Sequence, residues 1–456
     1  MQNGMIIGVA DSGRSSAEVE TRASLGLHLH RWADPAVIAL ALIALAAGFG
    51  QFGAVTALGD VAKAFGHATS GTSISDQAGL SGTELGLGLA VLRLASLGAL
   101  PFTSLADRFG RRRAILTSCA IGLAFTVVAA SSPSYWWFVA IFALGRPLLS
   151  TTNAIAQVSA AEETDTRNRA KAVAMVAGGY GVGAGLIAVL HGLGGSALGF
   201  RGLFALAVVP LMFLLVARKH VKEPERFTVT AASGEHSRPV LGAVAPRYRR
   251  RLVIVLGLAF AVSVITGPAN SFVYIYAQNV LKMSGPLIAV MVVVAAAFGL
   301  SGLLLGRYLA DRFGRRPTCA GALVAMACLG ILAYSGSRLA LFTGYELGVL
   351  AAATFAPAAG AFANELFPTD VRATVAGWNI AAGVLGGASG LLAFGAVADA
   401  GAAFSVGAVA TFLPSLAAIS LFLLLPETKG QEPEDLWPAV VAVPAVPVVP
   451  APADPV

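Results

Sequence analysis

The chain alternates between apolar stretches of about 20 residues, the length that crosses a bilayer as a helix, and short polar loops. The apolar stretches fall at roughly 36–58, 84–106, 114–132, 135–158, 172–192, 200–218, 252–274, 285–308, 318–336, 338–364, 373–396 and 402–425. Twelve spanning helices are therefore predicted, with 338–364 long enough to tilt. Residues 1–35 are polar and mixed, so the first apolar span is expected to be retained rather than cleaved as a leader. Residues 219–251 form a polar, basic linker, and 426–456 a tail. From Trp437 onward the tail is rich in Pro, Ala and Val. Its prolines disfavour a helix, so an extended segment is expected there rather than a thirteenth span.

The chain also repeats itself. Leu-Ala-Asp-Arg-Phe-Gly-Arg-Arg-Arg at 105–113 recurs as Leu-Ala-Asp-Arg-Phe-Gly-Arg-Arg-Pro at 309–317, an offset of 204. Glu162 and Arg169 recur as Glu365 and Arg372, an offset of 203, and Pro224 recurs as Pro426, an offset of 202. Three anchors in one register divide the chain into two halves of six spans. Six is even, so equivalent spans run the same way, and the duplication is parallel. The expected fold is an all-α membrane protein of two six-helix bundles, 36–218 and 252–425, related by a pseudo-two-fold axis.

Composition supports this reading. Only 12% of residues are charged, against 56% hydrophobic, too few charges to coat a soluble surface of this size. The 52 glycines suit close helix contacts in lipid. A net charge of +7 would otherwise suggest nucleic acid, but the basic residues sit in short loops and no soluble basic domain carries them. If the N-terminus is cytoplasmic, the inside loops hold twenty Lys and Arg and the outside loops four: Lys63, Arg201, Lys282 and Arg338. Such a bias places both termini in the cytoplasm. Cys119, Cys319 and Cys328 make no metal spacing and are expected as buried free thiols. The six histidines are scattered and no catalytic constellation forms, so an enzyme is not expected, nor is any cofactor. No ATP-binding loop of the Gly-x-x-x-x-Gly-Lys type is present.

The duplicated loops, Asp107-Arg108-Phe109-Gly110-Arg111-Arg112 and Asp311-Arg312-Phe313-Gly314-Arg315-Arg316, resemble the signature of the major facilitator superfamily. Its first glycine is replaced by Thr103 and Arg307. The stretches Glu162–Arg169 and Glu365–Arg372, with Pro368 inside the second, resemble the Glu-x-x-Pro-x-x-x-Arg element of the sugar-porter-like and metabolite–proton symporter branch. Pro-Glu-Thr-Lys-Gly at 426–430 is similar to that branch's ending after span 12. The resemblance covers residues 36–430. It implies that Asp107, Arg108, Arg111, Glu162, Arg169, Asp311, Arg312, Arg315, Glu365 and Arg372 form a cytoplasmic gating charge network. Its pairs would form in the outward-open state and break as the halves rock. It also implies a cavity lined by spans 1, 4, 7 and 10.

Ionisable residues inside spans are functional hypotheses by default. Arg146 in span 4 lies near the midplane, about 18 Å from the outer end. Arg93 and Glu346 lie shallower and are candidates either for the cavity or for a mutual bridge. Gln51, Asn153, Asn270, Tyr274, Tyr276 and Asn379 add polar candidates on the spans. Sugar-proton symporters carry an Asp in span 1 where this chain reads Phe49-Gly50-Gln51-Phe52. The paired glutamines of hexose carriers are replaced around Val262, Ser263 and Val264. Two arginines against one glutamate within the spans point to an anionic organic solute taken up with protons. The expectation is a monomeric secondary transporter of the plasma membrane, working by alternating access. A proton-driven exporter or a sugar-type facilitator is the alternative.

Overall fold

The computed structural model describes residues 34–67, 74–165, 168–223, 241–242, 244–401, 403–431 and 436, with the side chains of 107–109, 195–197 and 369–370 excepted. The N-terminal segment to residue 33, the linker from 224 to 240 and the tail from 437 lie outside the described residues. A backbone in hydrocarbon has no water to bond, so each apolar stretch must satisfy its own amides as a helix. Among the described residues, twelve helices are long and apolar enough to cross a membrane. They are α1 (Pro35–Thr56), α2 (Gly82–Ala106), α3 (Arg111–Ala129), α4 (Tyr135–Glu163), α5 (Arg169–Gly194), α6 (Leu198–Ala217), α7 (Pro246–Val280), α8 (Gly285–Phe313), α9 (Arg315–Ala333), α10 (Arg338–Leu366), α11 (Val371–Ala400) and α12 (Phe404–Leu423).

Local sequence sets several of the ends. Proline occupies the first turn of α1, α7 and α8, where its missing N–H costs nothing. Ser81, Ser134 and Ser337 accept hydrogen bonds from the amides of Glu84, Trp137 and Ala340, capping α2, α4 and α10. One expected boundary moves. The basic run Arg247–Arg251, expected in the linker, forms the first turns of α7, begun by Pro246. One thiol also departs from expectation: Cys119 and Cys319 are buried, but Cys328 is exposed on the surface of α9.

Helices α1–α6 and α7–α12 form the two halves. Within each, a central pair crosses at backbone distance: α1 on α5 and α7 on α11. A Cβ added at Gly183 would sit 2.0 Å from the Leu45 carbonyl, and one at Gly386 2.2 Å from the Phe260 carbonyl. Aromatic side chains fill each half nearby, Phe138, Phe142, Phe200 and Phe204 in the first, Phe272, Tyr276, Tyr334, Phe394 and Phe404 in the second. Tyr276, a candidate for the cavity, belongs to this packing instead.

The duplicated loops lie at one end of the bundle, here termed the basic face. Gly110 and Gly314 turn the chain there at φ +96° and +112°, a backbone region that favours glycine. The two halves meet at the opposite, far face. Helix α2 packs on α11, and α5 on α8. A Cβ at Gly82 would lie 2.8 Å from the Gly395 carbonyl, and one at Gly395 2.1 Å from that of Gly82. The related crossing repeats this: a Cβ at Gly192 would lie 2.5 Å from the Gly285 carbonyl, and one at Gly285 2.2 Å from that of Gly192. Among the described residues, the side-chain hydrogen bonds between the halves also lie at the far face. The basic-face helix Ala99–Phe109, which continues from α2, makes its principal contacts with α3 and α4 of its own half.

Each nearest atom to a Cβ at Gly395 belongs to the other half. Gly395→Val is therefore expected to fold and insert normally while opposing closure of the far face. Overpacking of this kind costs about 1–3 kcal/mol, a shift of roughly tenfold in a two-state balance. Spin labels replacing the exposed Lys63 and Lys282, which stand at the far face on opposite halves, should report longer distances in Gly395→Val. An unchanged distance distribution refutes the expectation.

Candidate functional site

Between the halves lies a cavity of about 320 Å³. Its N-terminal wall includes Gln51 on α1, Arg93 on α2 and Arg146 on α4; its C-terminal wall includes Asn270 and Tyr274 on α7 and Tyr345 on α10. Arg146 is held in place. Its Nε donates to Ser96 Oγ at 2.9 Å, and an Nη donates to the Gln51 carbonyl at 3.5 Å. Gln51 is fixed in turn, donating to Ser150 Oγ at 3.0 Å and accepting from the Tyr180 hydroxyl at 2.6 Å. Arg93 is near enough to Arg146 for the two guanidinium groups to repel. Arg93 lies against α11, its Nε 2.9 Å from where a Cβ on Gly387 would stand, and that Nε has no hydrogen-bond partner among the described residues. No carboxylate of a described residue forms a salt bridge with either arginine.

The structure thus brings Gln51, Arg93, Arg146, Asn270 and Tyr274 to one cavity. It does not bring the other span candidates there. Asn153 accepts from Gln157 along α4 at 3.1 Å. Glu346 is buried within the C-terminal half, both carboxyl oxygens lacking a hydrogen-bond partner among the described residues. The alternative bridge from Glu346 to Arg93 is not formed. Asn379 lies on α11 away from the cavity wall, its Oδ1 buried. Helical spacing told which residues were polar but not which face of each helix turns to the partner half. Ser96, Ser150 and Tyr180, which hold Arg146 and Gln51, were missed for the same reason.

At the basic face the charges assemble inside each half. Arg111 pairs with Glu162 at 2.6 Å. Arg315 pairs with Glu365 at 3.0 Å and with Asp311 at 3.3 Å. Two further carboxylates complete the clusters, and sequence reasoning did not single them out. Glu223 accepts from the amides of Arg111 and Arg112, and Glu427 from those of Arg315 and Arg316 at 2.8 and 3.0 Å. Each caps the positive N-terminal end of a helix, α3 or α9. The signal was present: Glu223 and Glu427 are 204 residues apart, the offset of the duplicated loops. Arg372 donates to the Phe367 carbonyl at 2.9 Å, Arg312 stacks on Tyr308 and Phe313, and Arg169 is exposed. The side chains of Asp107 and Arg108 lie outside the described residues. The Arg111–Glu162 and Arg315–Glu365 pairs each lie within one half, and both are intact here although the named contacts between the halves are at the far face.

The far face carries polar latches that do cross between the halves. Asp399 at the end of α11 accepts from the amides of Gly82 and Thr83, each at 2.7 Å, and from the Thr83 hydroxyl at 2.6 Å. A carboxylate of one half therefore caps a helix of the other. Beside it, Asp60 on the short helix Leu58–Phe65 accepts from His191 Nε2 at 2.7 Å and from Gln278 of the other half at 2.5 Å. Burial acts to raise the Asp60 pKa, but the hydrogen bond and charge of His191, the Gln278 amide and nearby Lys63 outweigh it. The net effect holds this carboxyl below its ordinary 3.8.

Three comparisons bear on this arrangement. The sequence model of the Major Facilitator Superfamily matches residues 40–343 and 270–450. The chain is 30% identical over 389 residues to the probable 4-methylmuconolactone transporter of Cupriavidus pinatubonensis, a match spanning 81% of this chain and 88% of that protein. It is 28% identical to the 3-(3-hydroxy-phenyl)propionate transporter of Escherichia coli, over 74% of this chain and 83% of the relative. Its fold matches the crystal structure of a D-xylose–proton symporter with a TM-score of 0.68 at 20% identity, covering 87% of this chain and 99% of that one.

On closure Asp60 gains the Gln278 amide of the other half, which favours its ionised form, and a carboxyl held below 3.8 stays ionised from pH 8 to 5. A carboxylate favoured in the latched state supports the latch above the carboxyl's ordinary pKa and loses that support only as pH falls below it. Between pH 8 and 5 the far face should therefore stay closed, whereas Asp60→Asn should weaken closure about tenfold, the scale of one lost charged hydrogen bond. Distance measurements across the far face at both pH values test this. Opening of the unsubstituted protein at pH 5 would show that another group controls the latch.

Proposed function

The chain belongs to the Major Facilitator Superfamily, and we propose that this transporter moves an anionic organic solute, together with protons, by alternating access between its two halves. One observation carries the choice of an anion. Arg93 and Arg146 line one cavity, and neither forms a salt bridge with a described carboxylate. Guanidinium groups are always charged, and two of them in a partly desolvated cavity repel unless an anion arrives. A carboxylate matches the guanidinium fork with two parallel hydrogen bonds. Both relatives are named for organic acids, which favours the same class.

The remaining features support the cycle. We read the basic face as cytoplasmic from its twenty Lys and Arg against four on the other side, with both termini in the cytoplasm and the plasma membrane as the membrane it crosses. In this arrangement the far face is closed and the cavity serves the cytoplasmic side. Uptake then requires the Gly82–Gly395 and Gly192–Gly285 crossings to part, together with the Asp60 and Asp399 latches. Each half moves as a unit because its basic-face charge cluster and its central helix crossing are internal to it. The linker between the halves and a monomeric state belong to the same reading.

Arg146→Lys keeps a charge but loses the fork. Its binding of 3-(3-hydroxyphenyl)propionate should weaken by about 1–3 kcal/mol, or roughly 5- to 150-fold, with the protein inserted and folded as before. The corresponding amide, which carries no charge, should bind equally to both proteins. Wild-type affinity for the acid in Arg146→Lys overturns the anion reading. In proteoliposomes, acidifying the outside should drive accumulation of the acid; accumulation indifferent to the proton gradient removes the coupling.

A further inference from the structure

A second cavity of about 260 Å³ opens inside the C-terminal half, between α7, α9 and α10. It shares Thr266, Asn270 and Tyr345 with the arginine cavity, so the two adjoin across these side chains. Their chemistry differs. The arginine compartment holds two guanidinium groups and Gln51, whereas the second is walled mainly by small apolar residues, among them Ala333, Gly348 and Ala352, together with Met326. The helix contact beside it explains why it exists. At Gly344 the backbones of α9 and α10 touch, with a Cβ there placed 2.5 Å from the Ala333 amide nitrogen. One turn further along, a Cβ on Gly348 would meet nothing nearer than Leu329 Cβ at 3.9 Å. The helices are thus held together at one level and left without side chains at the next. Bundle interiors are otherwise close-packed, with few voids larger than a water molecule, and an apolar cavity of about 150 Å³ already admits benzene.

We propose that this compartment is the specificity pocket of the transporter and takes a six-membered ring, so that the preferred solute is a ring-bearing monocarboxylate with its carboxylate on Arg146 and Arg93 and its ring between α7, α9 and α10. The proposal rests on the anion reading and narrows it. The volume accommodates one ring with small substituents. Asn270 and Tyr345, at the shared boundary, face the linker between ring and carboxylate, and the Tyr274 hydroxyl lies within hydrogen-bonding reach of that of Tyr345. A ligand placed this way touches both halves, with its charge on the first and its ring in the second. A short aliphatic acid reaches the arginines but leaves the C-terminal pocket empty, so it binds only one half firmly.

The test uses the purified full-length protein and three probes: 3-phenylpropionate, propionate and the uncharged 3-phenylpropanamide. The wild type should bind 3-phenylpropionate at least tenfold more tightly than propionate, the scale of burying an aromatic ring. Gly348→Leu places a side chain in the pocket. It should abolish that preference while leaving propionate affinity within about twofold, since the arginine compartment is untouched. Ala352→Leu should do the same from the next turn of α10 and serves if Gly348→Leu does not fold. Arg146→Lys should weaken both acids and spare the amide. Equal wild-type binding of the two acids overturns the ring pocket while the anion reading stands. So does an undiminished preference in a folded Gly348→Leu or Ala352→Leu protein. If the wild type binds neither acid, or Arg146→Lys binds both as the wild type does, the anion reading fails and this proposal fails with it.

Discussion

At Gly82–Gly395 and Gly192–Gly285 two helices of one half meet two of the other at backbone distance. Hydrocarbon gives helices no hydrophobic reason to associate, so attraction between them comes from close van der Waals contact and from polar groups. Small residues supply the first. Asp399 on the amides of Gly82 and Thr83, and Gln278 on Asp60, supply the second. Contacts of this kind are short-ranged and confined to the far face, so they hold the halves in one arrangement without fusing them. The cavity follows from the same constraint, because halves joined along one edge leave a space where they diverge.

Rigidity within each half comes from different contacts. On the basic face, Glu223 and Glu427 cap α3 and α9, while Arg111 and Arg315 tie those helix starts to Glu162 and Glu365 at the ends of α4 and α10. Gly110 and Gly314 are needed twice over. Their φ is positive, and a Cβ would stand 3.1 or 2.8 Å from the capping carboxylate. The duplicated loop is therefore a local brace. It explains why the same residues recur in both halves: each half solves the same problem of anchoring a helix start beside a neighbouring helix end.

The cavity places unlike chemistry on its two sides. The N-terminal wall is positively charged and hydrogen-bonded, with Arg146 held by Ser96 and the Gln51 carbonyl, and Gln51 held in turn by Tyr180. The C-terminal wall is tyrosine and asparagine at its front and small apolar residues behind. An amphipathic anion fits this division, because its charged and apolar ends are each matched by a different half.

Much of this architecture is legible in the amino-acid order. Twelve spans, the parallel duplication and the basic loops follow from apolar run length, from a repeat offset near 204 and from the count of Lys and Arg, all of which are properties of local segments. Arg146 is conspicuous for the same reason, as a charge inside an apolar run. Tertiary structure decided the rest. It turned Glu346 and Asn379 away from the cavity that Arg93 faces, placed Tyr276 in an aromatic core, confined the basic-face ion pairs within single halves, and made glycines far apart in sequence into the points where the halves touch. It also opened the pocket behind Asn270 and Tyr345. Which face a helix presents depends on its rotation and on its neighbours' backbones, and in a span apolar all round no periodicity records that rotation. The sequence by itself therefore determined which segments cross the membrane and how often the plan repeats, while only the packed structure decided which polar side chains meet and where empty space remains.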